Sequence, residues 1–141
     1  LIYLDTSIVI AYYMVETHTT RVVSIYEGND ELAISPLVEI ELASVLARLV
    51  RVGSVEVSEA QRVHKLFLQH VEDQLYTSLT LHLQHYQWAR DQIAQFQLPL
   101  KAPDALHLAI AHLEHLDLLT ADRQMARNAG SLSISVRLIE G

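Results

Sequence analysis

Cysteine is absent from these 141 residues. Its absence excludes disulfides, a thiolate metal centre and a cysteine nucleophile, and it suits a reducing compartment. Positive charge is scarce too: 10 Lys and Arg stand against 17 Asp and Glu, for a formal net charge of −7. A broadly basic nucleic-acid surface is thereby excluded, whereas an acidic centre with a local basic rim is not. No stretch approaches the roughly 18 apolar residues of a membrane span, and no signal segment is expected. The expectation is a cytoplasmic protein with no membrane partner. With 4 glycines and 3 prolines there is no flexible linker, and the aromatic residues, 6% of the chain, form no stripe on which single-stranded bases would stack.

What is present is apolar residue in short, punctuated runs. Half of the chain is hydrophobic and 19% charged, the balance of one globular domain over residues 1–141. "LIYL" reads as a buried strand and "SIVIAYYMV" as a helix capped by Thr6 or Ser7. "HTTRVVSIYEGND" reads as a second helix ended by Gly28, Asn29 and Asp30, and "ELAIS" as a second strand. Ser35-Pro36 opens the helix "PLVEIELASVLARLVRV", which stops at Gly53. Ser58 and Gln61 fit a capping box for a helix running to about Val71. "QLYTS" follows as a third strand, then "LTLHLQHYQWARDQIAQF" as a long helix broken by Pro99. Pro103 opens "PDALHLAIAHLEHL", and "DLLT", "DRQMARNAG" and "ISVRLI" read as strand, helix and strand. Short apolar strands alternating with helices predict an α/β fold with a mostly parallel sheet. In such a fold, sites lie beyond the carboxyl ends of the strands.

That rule gives meaning to a carboxylate directly after a buried strand. Asp5 follows the first strand, Asp122 follows "DLLT", Glu41 lies two turns into the helix after the second strand, and Asp104 is in the first turn after Pro103. Carboxylates gathered without cysteine or a lysine cluster favour a hard divalent cation such as Mg2+ or Mn2+. The chemistry this suits is phosphodiester hydrolysis through a metal-activated water. Each acid also has an ordinary explanation: Asp5 and Asp122 as helix N-caps, Asp104 as a charge favoured at a helix N-terminus. Glu39 and Glu41 point roughly 200° apart on their helix, so only one can face a cleft, and the apolar pattern of Leu37, Ile40, Leu42, Val45, Leu46 and Leu49 does not choose between them.

"YLDTS", "ISPLVEIEL", "KAPDALHLAIA" and "LLTADRQMA", in this order and spacing, resemble the PIN domain, and most of all the VapC-type toxins of toxin–antitoxin pairs. The resemblance runs along nearly the whole chain. It implies a central parallel sheet in strand order 3-2-1-4-5 with helices on both faces. It also implies a Mg2+-dependent ribonuclease, with Mn2+ as the other candidate ion, whose four acids are Asp5, Glu41, Asp104 and Asp122. By the same resemblance Ser7 and Thr120 hold carboxylates or water in place, Glu41 rather than Glu39 faces the cleft, a VapB-like antitoxin covers it, and the toxin forms a homodimer acting on RNA.

The remaining polar residues have weaker patterns. Arg48, Arg51, Lys101 and Arg123 are the cations that would rim an acidic centre, with Arg48 and Arg123 as candidate phosphate contacts. Asp117 precedes its strand and so belongs at the other end of the sheet. His82 with His85, and His112 with His115, share helix faces, but neither H-E-x-x-H nor a Glu followed three residues later by His occurs. His107, one turn from Asp104, is the histidine that stands out, and core packing is preferred to catalysis for it. A catalytically silent PIN-like module binding RNA or protein is the alternative to a nuclease. A receiver-type phosphate domain would need paired acids after the first strand, which are missing.

Overall fold

A computed structural model describes residues 1–14 and 19–140. In chain order the elements are β1 (Ile2–Leu4), α1 (Thr6–Tyr13), α2 (Thr19–Tyr26), β2 (Leu32–Ile34), α3 (Pro36–Arg51), α4 (Val57–Glu72), β3 (Tyr76–Ser78), α5 (Leu83–Ile93), α6 (Ala102–Leu113), β4 (Asp117–Thr120), α7 (Arg123–Ser131) and β5 (Val136–Leu138). Val15 and His18, which the sequence assigns to the ends of two helices, lie outside the described residues.

The five strands form one all-parallel sheet in the order β3-β2-β1-β4-β5. "QLYTS" supplies β3, with Tyr76 opposite Leu32. Side chains alternate between the faces of a strand, and here both faces are apolar. Leu4, Leu32, Ile34 and Leu119 pack with Ile8, Val22, Val38, Leu42 and Phe67 on one side. Tyr3, Ala33 and Leu118 pack with Leu108, Ile110, Met125 and Ala129 on the other. Helices therefore cover both faces, and each large apolar side chain withdrawn from water contributes about 1.5–3 kcal/mol. Helix α5 lies on α6 through Ala89, Ala105 and Ala109, small residues that let the two backbones approach.

Four local expectations are corrected. Helix α1 is capped by Asp5, which accepts from the Ile8 amide, and not by Thr6 or Ser7, whose hydroxyls bond to Glu41 and Asp5 instead. Helix α4 starts at Val57 with Glu56 at its N-cap and no side-chain cap, so Ser58 already lies inside the first turn and forms no capping box. The "LTLHLQ" helix starts only at Leu83, because Leu79 and Leu81 sit before it against the second core cluster. Ile40, placed in the apolar stripe of α3 by sequence, is 67% exposed, and Val38, Leu42 and Leu46 form the buried row.

Because β1, β2 and β4 are parallel neighbours, their carboxyl ends share one edge. Asp5 leaves β1 there, Ser35 leaves β2, and Thr120 ends β4.

Candidate active site

Asp5 is 2% exposed and held at both oxygens. Its Oδ1 accepts from Ser7 Oγ at 2.5 Å and the Ile8 amide at 3.4 Å, and its Oδ2 accepts from Thr120 Oγ1 at 2.5 Å. Burial pushes this carboxyl above its ordinary range, and the field of His107 together with the donors Ser7, Thr120 and Ile8 works in the opposite direction. The same two hydroxyls accept as well: Ser7 Oγ from the Ala121 amide at 2.9 Å and Thr120 Oγ1 from the Asp122 amide at 3.0 Å. The turn after β4 is thus bonded to the turn after β1. Asp122 then caps α7, its Oδ1 accepting from the Gln124 and Met125 amides at 2.8 and 3.1 Å; its Oδ2 accepts from no donor among the described residues.

Glu41 reaches the same edge from α3. Its Oε1 accepts from Thr6 Oγ1 at 2.7 Å and lies 2.6 Å from His107 Nε2. Burial acts to raise the Glu41 carboxyl, but the bonds from His107 and Thr6 outweigh it and hold the group below the usual range. Asp104, on the first turn of α6, accepts no hydrogen bond among the described residues. It is pushed above its ordinary range by burial and then by the charge of Asp122, with Glu41 and Asp5 adding to the effect and His107 opposing it.

These four acids, with His107, Thr6, Ser7 and Ser44, line one cleft of about 260 Å3, and no Lys or Arg is among its lining residues. A larger cavity of about 780 Å3 lies beside Asp30, Glu31 and Tyr76, at the opposite end of β2 and β3, and contains none of the four. Among the described residues no group of three His, Asp or Glu side chains is arranged to hold a metal ion as it stands. The donor set nevertheless suits a hard divalent cation. It is all oxygen, both oxygens of Asp104 and one each of Glu41 and Asp122 remain without a donor, and the carboxylates raise one another's affinity for positive charge.

Other sequence candidates are not among the residues lining the cleft. Arg48 is exposed on α3, and Arg123, 3.2 Å from Glu140, forms an ion pair on the surface; neither lines the cleft. Glu39 and Lys101 are not among the lining residues, and Asp117 borders a cavity at the amino end of β1. His85 Nδ1 accepts from the His82 amide at 2.9 Å, its Nε2 lies 3.0 Å from Glu114, and His112 stacks on Trp88 with ring centroids 5.1 Å apart. Sequence reading singled out His107 but favoured core packing for it, read Thr6 only as a helix cap, and missed Tyr3. His107 follows Asp104 by three residues, a spacing that puts both on one helix face; for Tyr3, strand alternation signals only burial.

A sequence profile described as the PIN domain matches residues 2–131. No curated protein matches the chain. Among solved structures, FitAcB from Neisseria gonorrhoeae superposes with a TM-score of 0.73 at 19% identity, over 96% of each chain. VapBC2 from Rickettsia felis, bound to a DNA fragment from its promoter, gives 0.71 at 17% identity over 98% of each. VapC20 from Mycobacterium tuberculosis, a toxin cleaving the sarcin–ricin loop, gives 0.69 at 13% identity, over 91% of this chain and 95% of that one.

Proposed function

Because this chain belongs to the PIN domain family, we propose that it is a divalent-metal-dependent endoribonuclease of the VapC toxin type, restrained by a VapB-like antitoxin. The observation that carries this reading is the convergence of Asp5, Glu41, Asp104 and Asp122 on one cleft that no Lys or Arg lines. Asp5, Asp104 and Asp122 would hold Mg2+ or Mn2+ directly or through water, and Glu41 would hold a second ion or orient the water bound to the first. The ion, when bound, supplies an activated water and neutralises charge developing on the phosphate. Ser7 and Thr120 keep Asp5 from rotating by donating to its two oxygens. Arg48, one turn beyond Ser44 on α3, and Arg123, beside Asp122, are the cations best placed along the chain to meet an RNA backbone leaving the cleft.

The partners follow from surfaces. An apolar groove between α3 and α4, lined by Leu46, Val50, Val57 and Ala60, offers an antitoxin segment a seat. Exposed Leu83, Tyr86 and Phe96 suit the pairing of two copies. Among the described residues no helix is long and apolar enough to cross a membrane, and the proposed setting is the cytoplasm.

The test is cleavage of a panel of structured RNAs by purified protein free of antitoxin, with Mg2+, Mn2+ or chelator, beside folded Asp5→Asn and Asp104→Asn variants. Metal-dependent cutting lost in both variants supports the reading. Cutting that persists in both refutes the four-acid centre, and binding of RNA without cutting by any form leaves the silent binding module as the better account.

A further inference from the structure

His107 is 2% exposed, yet both of its ring nitrogens have polar partners. Nε2 lies 2.6 Å from Glu41 Oε1 and Nδ1 lies 2.7 Å from the Tyr3 hydroxyl, which in turn is 2.8 Å from Ser35 Oγ. One direction is fixed by chemistry: a carboxylate only accepts, so Nε2 donates to Glu41, and the Tyr3 hydroxyl, with a single hydrogen, donates one of its two bonds to Nδ1 and Ser35 Oγ and accepts the other. The Tyr3 phenol keeps its proton because burial pushes it far upward. The chain Ser35, Tyr3, His107, Glu41 is therefore complete at every atom and joins the ends of β2 and β1 to α6 and α3.

We propose that His107, held by Tyr3, is a positioning residue that sets which oxygen of Glu41 faces the cleft. With Thr6 and His107 both donating to Oε1, that oxygen has no lone pair to offer, and Oε2 alone is left for an ion or a water. Without His107 a single hydroxyl would restrain Glu41, a side chain with rotamer freedom to lose on fixing. A residue serving the core alone would need no such bonds, and an apolar side chain of the same volume would avoid burying them. The proposal rests on the reading of the cleft as a metal centre.

The test is Mn2+ titration of RNA-free protein, following free Mn2+ by electron paramagnetic resonance, for wild type and the His107→Met, His107→Gln and Tyr3→Phe variants, with thermal melts in parallel. Outer-shell partners of metal ligands are worth about ten- to a hundredfold in affinity, and His107→Met is expected to lose that much. His107→Gln, whose amide can donate to Glu41, is expected to recover most of it, and Tyr3→Phe to lose less than His107→Met. Should His107→Met fail to fold, the weakening in Tyr3→Phe carries the test alone. Lowered melting temperatures with Mn2+ affinity unchanged across the variants would overturn the proposal and make His107 a packing residue, as would a loss that Gln does not rescue. Failure of the wild type to bind Mn2+ would instead overturn the metal centre itself, and this proposal with it.

Discussion

Asp104→Asn should make the metal-free protein more stable while removing its activity. Asp104 accepts no hydrogen bond among the described residues, so the substitution breaks none. It forfeits a favourable charge on the first turn of α6, worth about 0.3–1 kcal/mol. Against this it relieves burial of a charge beside Asp122, Glu41 and Asp5, whose net effect is to raise the Asp104 carboxyl. In a solvent-wetted cleft such repulsion amounts to about 1 kcal/mol per close pair, so the variant should gain about 1 kcal/mol, or about 2–4 °C in melting temperature. The sign with pH follows. A raised carboxyl in the folded state contributes stability that is present below its ordinary value of 3.8 and lost as pH rises through the folded value. Wild type and variant should therefore melt together in acid and separate toward neutrality. Saturating Mn2+ should reverse the order, since an ion at a hundred times its dissociation constant adds about 2.7 kcal/mol to whatever binds it. Melts of both proteins at several pH values, with and without Mn2+, provide the check. A metal-free variant no more stable than wild type at neutral pH, or a gap that does not close in acid, would refute the reasoning.

Thr120→Val keeps the volume but leaves Asp5 Oδ2 and the Asp122 amide without their partner, and urea denaturation should show a loss of about 1–3 kcal/mol. Tyr76→Phe removes the hydroxyl that lies 2.9 Å from that of Tyr13 and 2.7 Å from that of Tyr26, and the same assay should register a cost of about 1 kcal/mol. Gly53→Ala meets no atom within 4 Å of the new Cβ, but φ there is +77°, so its cost of about 1–2 kcal/mol is backbone strain alone, readable by thermal melting.

The strand and helix order was legible because both apolar periods and the punctuation by Ser35-Pro36, Gly53 and Pro103 agree with the fold. The convergence of the acids was legible only through topology. A parallel sheet forces the turns after β1 and β4 together, but nothing in the period of α6 shows that its first turn meets the same edge. Helix starts were read less well, because a hydroxyl next to a helix is counted as a cap by sequence, whereas Thr6 and Ser7 have stronger acceptors in Glu41 and Asp5. His107 was read as core, and burial was the correct half of that reading. Its partner Glu41 is 66 residues away, a contact that local spacing does not encode.

The position of β1 in the sheet bears on when the cleft can exist. Its two neighbours are β2 and β4, and Ile2 pairs with Asp117, 115 positions later. A nascent chain emerging from the ribosome therefore carries Asp5 without the strand that completes its surroundings until β4 has been made. The hydroxyl of Thr120, the cap at Asp122 and the side chain of Met125 come last among the groups that build the cleft. Until they emerge the acids are scattered along an unfinished sheet, and any activity that depends on their assembly begins only when nearly all of these residues have been made.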